Sequence, residues 1–284
     1  MTRDQVISIQ SWFNNYVARF YTHGQDEEAD WAIQIKQHHS ERVSEEIALL
    51  SDRLRLTEED TMMAEVLALI HDVGRFSQYK EYGTFRDDLS VNHAELGAEE
   101  IAKADILDNL TTMEKELIRK GILYHNMHTL PKDEDLRSLF FCKLLRDADK
   151  LDIWRVLIEH YLNGHDHNGH AALEVGFQDT PGYSKKLLDD LTSGGTPNSF
   201  NIKNLNDYKL LQMSWVYDIN FSPTFHEIKK REYIKKLAST LPLTQQLRKI
   251  LTAINRYLAT KVTQWSNEGQ GRTTVRGVKE GFVL

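Results

Sequence analysis

The stretch Thr57-Glu-Glu-Asp-Thr-Met-Met-Ala-Glu-Val-Leu-Ala-Leu-Ile-His71-Asp72-Val-Gly74-Arg75 decides the fold class. Thr57 before Glu-Glu-Asp60 reads as a capped helix start. Met63, Val66, Leu67 and Ile70 then recur at helical spacing, and Gly74 is expected to end the helix. His71 falls four residues after Leu67, which turns it towards the core, and Asp72 adjoins it. An imidazole and a carboxylate at the inner end of an apolar helix need partners, and other helices must supply them.

The same 3.6-residue period runs outward in both directions. Upstream, Val6, Ile9, Phe13, Val17 and Phe20 share a face over about Asp4–Tyr21, and a long helix is expected over Glu27–Leu54. Downstream, an aromatic, polar loop is expected from Arg75 to Leu89. Ser90 can cap a helix over Val91–Ala104, Thr111 with Glu114 forms a capping box, and Asp135 precedes a helix reaching Asp149 or beyond. Glycines and Thr-Pro clusters mark irregular chain over 161–206, around a short helix near Ser184–Leu191. Helices are expected again over Asp207–Ile219, Thr224–Ser239 and Leu243–Asn267. With five prolines and almost no alternating strand pattern, the chain reads as all-α. The expected layout is one domain with a core over about 27–160 and a C-terminal helical extension over 207–284.

Composition narrows the function. At 40% hydrophobic residues the chain has ample apolar surface to bury, so a disordered chain is excluded. A net charge of -7 disfavours generic nucleic-acid binding. The lone Cys142 permits no internal disulfide, the start has no signal-peptide pattern, and apolar runs are far shorter than the ~20 residues that cross a bilayer. A cytoplasmic protein is expected.

His39 shares the inward stripe of Trp31, Ile35, Val43, Ile47, Leu50 and Leu54, with His38 about 100° away. His93, His125 and the Asp147-Ala-Asp149 segment fall on further helices. Taken singly, each histidine reads as a hydrogen-bonded core residue. Together they can project into one pocket, as ligands do in helical di-metal proteins. Imidazoles with carboxylates suit Mn, Fe, Co, Ni or Zn, with Mg possible where oxygen ligands dominate.

The order His39-Ser-Glu-Arg-Val43, His71-Asp72-Val-Gly-Arg75, Asp147-Ala-Asp149-Lys-Leu-Asp152 resembles the HD-domain superfamily of metal-dependent phosphohydrolases, over roughly Trp31–Leu157. The resemblance implies an HD-type helical bundle. It also implies one divalent ion on His39, His71, Asp72 and an Asp of the last segment. Periodicity allows Asp147 or Asp149; the family's Ala-Asp-Arg/Lys-Leu segment favours Asp149. His93-Ala-Glu-Leu-Gly97 and His125-Asn126 are similar to steps in the cyclic-nucleotide phosphodiesterase and HD-GYP branches. They imply a second ion on His93, His125 and a bridging Asp72. Asn126 stands where those branches carry a second histidine, and the Gly-Tyr-Pro segment is absent. His93 and His125 therefore stay open between metal ligands and groups that contact substrate. Gly83-Thr-Phe-Arg-Asp87 resembles a bacterial subgroup of the superfamily.

A metal lowers the pKa of its water towards about 7 and polarises phosphoryl oxygen, so the expected activity is hydrolysis of a small phosphate ester or anhydride, a nucleotide above all. Alternatives are a two-metal phosphodiesterase and a regulatory domain that binds nucleotide without turnover. Arg75 and then Lys150 are the expected phosphate clamps, with Arg42 reaching the site or a core carboxylate. His93, His125 and Asp152 are candidate general acids. The loop over 75–88 either covers the pocket or packs on the surface. His165–His170 reads as a solvated loop, Lys229, Lys230, Arg231, Lys235 and Lys236 as a solvent face, and Trp215, Phe221 and Phe225 as core. The oligomeric state is open.

Overall fold

The computed structural model describes residues 1–163, 177–195, 197 and 201–270. The His165–His170 tract lies outside them. Among the described residues the regular structure is entirely helical. Those up to Asp152 form one compact unit and those from Ile153 onward a second.

In the first unit, α1 (Arg3–Ala18) opens on a reciprocal Thr2/Gln5 capping box and buries Val6, Ile9, Phe13 and Val17. Asp26 caps α2 (Glu27–Leu54) by accepting from the Ala29 N–H. Its Val43, Ile47 and Leu50 are fully buried against α3 (Glu58–Ile70). Each such side chain contributes about 1.5–3 kcal/mol over an exposed one, so the α2–α3 contact is a rigid base for whatever those helices carry. The first unit continues with α4 (Gly74–Tyr82), α5 (His93–Lys103), α6 (Thr112–Tyr124) and α7 (Leu136–Asn163), and α7 runs on past Asp152. From Phe141 to Asp152, α7 is buried on almost every side.

Three local expectations change. Gly74 begins α4 instead of closing α3, so the expected loop over Arg75–Leu89 is helical to Tyr82 and ends at Gly83 in the left-handed region, φ 64°. Close packing is the reason for Gly74: a Cβ there would collide with the His93 carbonyl and the Gly97 backbone, where α4 meets α5. Asn92 rather than Ser90 caps α5, accepting from the Ala94 N–H at 3.0 Å. The Ser90 hydroxyl is engaged elsewhere, donating to Arg86 O and accepting from Gln78.

The second unit holds α8 (Lys185–Thr192), α9 (Leu205–Ser214), α10 (Ser222–Lys230), α11 (Tyr233–Ser239) and α12 (Gln245–Gln270). A 3-10 turn over Trp215–Asp218 follows α9, so the helix expected to Ile219 stops at Ser214. Glu232, at φ 56°, splits the helix expected over Thr224–Ser239, which lets Phe225 and Ile228 bury on one segment and Tyr233, Ile234 and Leu237 on the next. Phe225 is core, while Trp215 and Phe221 are half-buried. Lys229, Lys230, Lys235 and Lys236 are exposed, as a solvent face requires. No helix among the described residues is long and apolar enough to cross a membrane.

Candidate metal centre

Five elements of the first unit converge on Asp72. The residue sits just beyond α3 and is 3% exposed. Its Oδ2 lies 3.7 Å from His39 Nε2 of α2 and 3.9 Å from His71 Nε2. Its Oδ1 lies 3.3 Å from His93 Nε2, on the first residue of α5, and 3.4 Å from His125 Nε2, at the end of α6. Asp149 of α7 places Oδ1 3.1 Å from His39 Nε2 and 3.8 Å from His71 Nε2. The two oxygens of Asp72 thus face two pairs of imidazoles, His39 with His71 and His93 with His125, and Asp149 stands against the first pair.

Every one of the four rings is oriented from behind. His39 Nδ1 meets Asp152 Oδ2 at 2.8 Å, His71 Nδ1 meets Ala68 O at 2.7 Å, His93 Nδ1 meets Asp87 Oδ2 at 2.7 Å, and His125 Nδ1 meets Ile122 O at 2.6 Å. Carboxylate and carbonyl oxygens only accept, so each Nδ1 must carry the proton and donate it. In His71 and His93 the Nε2 lone pair consequently faces the Asp72 cluster; in His39 burial is overcome by the bonds to Asp149 and Asp152, which raise its pKa and let Nε2 donate to Asp149 at 3.1 Å. Two consequences favour a cation there. His71 Nε2 is buried with no hydrogen-bond partner. His93 and His125 bring their Nε2 atoms to 2.9 Å, where two lone pairs repel unless a positive centre lies between or beside them.

Electrostatics agree. Burial disfavours the Asp72 carboxylate, but Lys36 and the surrounding imidazoles overcome it and hold its pKa well below the ordinary value. Burial likewise opposes ionised Asp149, and its hydrogen bond from His39 wins. Burial pushes His71 down to about 4 and also lowers His93, so both present neutral donors at pH 7. The C-terminal ends of α3 and α6, where His71 and His125 sit, add the negative pole of the helix dipole. Imidazole and carboxylate donors together fit a borderline divalent ion. Cys142 offers no thiolate, because burial raises it to about 12.

The remaining sequence candidates are distributed around this cluster. Asp147 is fully buried on α7, about 200° around the helix from Asp149. Arg42 reaches a core carboxylate, donating to Asp152 at 2.7 and 3.0 Å. Asp152 is fully buried and accepts from His39 and Arg42, which hold its pKa below the ordinary value against the cost of burial. Arg75 Nη1 donates to Gln78 Oε1, Phe85 O and Asp87 Oδ1, while its Nε lies 3.7 Å from Asp72 Oδ1 without a hydrogen bond. Lys150 Nζ lies 3.4 Å from the Arg146 carbonyl on its own helix. Asn126 donates to the Asn92 cap at 2.9 Å, and its identity removes no donor from the Asp72–His93–His125 group. The Arg75–Asp88 segment contributes Asp87 to the back of His93.

Sequence reasoning missed Lys36, whose ammonium is 2.9 Å from Asp72 Oδ2, and Asp87. Lys36 was within reach of that reasoning: it precedes His39 by three residues and so shares its face. Asp87 carried no such signal, since it lies on a 3-10 turn outside any helical period.

A family model described as the HD domain matches residues 37–154. The chain carries an HD domain. No curated protein and no solved structure matches the chain. The HD domain belongs to a superfamily of metal-dependent phosphohydrolases that bind divalent ions, and its matched span holds His39, His71, Asp72 and Asp149.

Proposed function

We propose that this HD-domain protein is a phosphohydrolase with two divalent-ion positions sharing Asp72, acting on a phosphate ester or anhydride of a nucleotide. His39, His71, Asp72 and Asp149 would hold one ion, and Asp72, His93 and His125 the other. The observation that carries the reading is the set of four Nδ1-anchored rings whose Nε2 atoms surround both oxygens of one buried carboxylate. Ions in those positions supply Lewis acidity at phosphorus and a water activated near neutral pH. The chain's own groups do the rest: Asp152 and Asp87 fix ring orientation, and Lys36 adds positive charge beside Asp72. Phe85 and Tyr79, with ring centroids 4.8 Å apart, offer a partly exposed aromatic surface next to Lys36 that suits a base. Asn126 and the missing Gly-Tyr-Pro segment argue against cyclic-di-GMP as the substrate.

The test is elemental analysis of protein purified without added metal, followed by product analysis on a panel of nucleoside mono-, di- and triphosphates and cyclic nucleotides with Mn, Mg, Co or Ni. About two metal atoms per chain and release of phosphate, pyrophosphate or a ring-opened monophosphate are expected. Tight nucleotide binding without any product would overturn the hydrolase reading in favour of a regulatory one. One atom per chain, with His93→Ala leaving it in place, would remove the second position.

A further inference from the structure

We propose that Lys36 grips the phosphate of the substrate, the role that sequence pattern assigns to Arg75; the proposal rests on the phosphohydrolase reading above. Arg75 is held to the fold through Nη1, while its Nε, 3.7 Å from Asp72 Oδ1, makes no hydrogen bond. Its Nη1 holds Gln78 Oε1 at 2.9 Å, the Phe85 carbonyl, and Asp87 Oδ1 at 2.8 Å. Asp87 in turn holds His93 Nδ1 at 2.7 Å. Turning the Arg75 guanidinium towards a substrate would leave that carboxylate without its cation and loosen the ring it orients. Arg42 is tied in the same manner, behind His39, through Asp152.

Lys36 is placed differently. Its Nζ is 2.9 Å from Asp72 Oδ2, the oxygen that also faces His39 and His71. An ammonium has three N–H donors, and the bond to Asp72 uses one. The side chain is 19% exposed, and Asp72 is the one acceptor its ammonium meets among the described residues. Its charge sits 5.4 Å from the centroid of Phe85, which steadies the head group without consuming a hydrogen bond. An anion drawn to cations on Asp72 Oδ2 arrives at the same ammonium. A compact charge on a four-carbon stem can swing from carboxylate to phosphate oxygen, whereas the Arg75 guanidinium cannot swing without giving up the three acceptors on its Nη1.

The experiment titrates Mn-loaded full-length protein with inorganic phosphate by calorimetry, with metal content measured on the same samples. Wild type is expected to bind phosphate, Lys36→Ala to bind it about 10-fold or more weakly with metal content unchanged, and Lys36→Arg to recover most of the affinity. With a nucleotide substrate that is turned over, Lys36→Ala is expected to raise KM more than it lowers kcat. Lys36→Met keeps the stem against Phe85 and replaces the alanine variant should that fail to fold. Phosphate affinity equal to wild type in the alanine or methionine variant overturns the proposal. So does loss of metal at unchanged phosphate affinity per metal-loaded chain, which would make Lys36 a support for Asp72 alone. Wild-type protein that binds phosphate through Lys36 yet hydrolyses no nucleotide would sink the hydrolase reading and leave the phosphate contact standing.

Discussion

Asp152 holds one ring of the cluster, that of His39. It is fully buried, accepts from His39 Nδ1 at 2.8 Å, and accepts from Arg42 at 2.7 and 3.0 Å. An asparagine keeps the shape but turns half of the group into a donor, so either the imidazole or the guanidinium loses its acceptor. Asp152→Asn is expected to weaken Mn binding by about 10–100-fold with helical content unchanged, the usual effect of removing a group that orients a metal-bound histidine. Calorimetric titration checks it, and equal affinity would show that His39 needs no anchor. Sequence pattern made Asp152 a candidate acid because only its place on α7 was visible. Its partners lie 110 and 113 residues upstream, and their contact exists only in the folded chain.

Helices α3 and α6 end with the same device. The last carbonyls of a helix have no partner within it, and in both cases a histidine just past the end turns Nδ1 back to the carbonyl three residues earlier. The carbonyl is satisfied and Nε2 is aimed outward along the helix end. The sequence made His71 legible because it continues an apolar period. The anchoring is local too, but nothing in the period reveals which ring nitrogen is tied. Gly74 was legible as a helix boundary and misread in sense, since its demand comes from α5. Gly74→Ala is expected to destabilise the protein by about 3 kcal/mol in urea unfolding, because the α4–α5 approach has no room for a methyl group. The accompanying shift of His93 should lower metal content as well. At the start of α7, Asp135 accepts from the Ser138 N–H at 2.8 Å and from Lys120 at 3.0 Å. Burial raises its pKa, but the Ser138 and Lys120 bonds outweigh that and depress it below the ordinary value near 4. A depressed carboxylate stabilises the fold above its unfolded pKa and loses that contribution as pH falls through the folded one. Asp135→Ala should therefore cost about 1 kcal/mol at pH 7, with the difference from wild type shrinking as both are melted at progressively lower pH below 4.

For the molecule as a whole, an ion held by these residues would link metal and fold. Ions that bind the folded first unit and not the unfolded chain stabilise it, by about 2.7 kcal/mol per site at a free concentration 100 times Kd. Thermal unfolding with Mn against EDTA should show this shift in wild type and lose most of it in His71→Ala; an equal shift in both would place the ion elsewhere. The all-helical class, most helix positions, the Thr57 cap, the Thr111–Glu114 capping box and the histidines with Asp72 follow from sequence by itself, because caps, helical period and short-range turns are properties of neighbouring residues. Periodicity left Asp147 and Asp149 open, since α7 is buried on nearly every side around both and neither face reads as solvent, and only the family resemblance favoured Asp149. Folding alone decided how closely Asp149 approaches His39 and His71, that Arg75 is tied to Asp87, and that Lys36 stands beside Asp72. Those facts are contacts between segments tens of residues apart, and no local period encodes the distance between two helices.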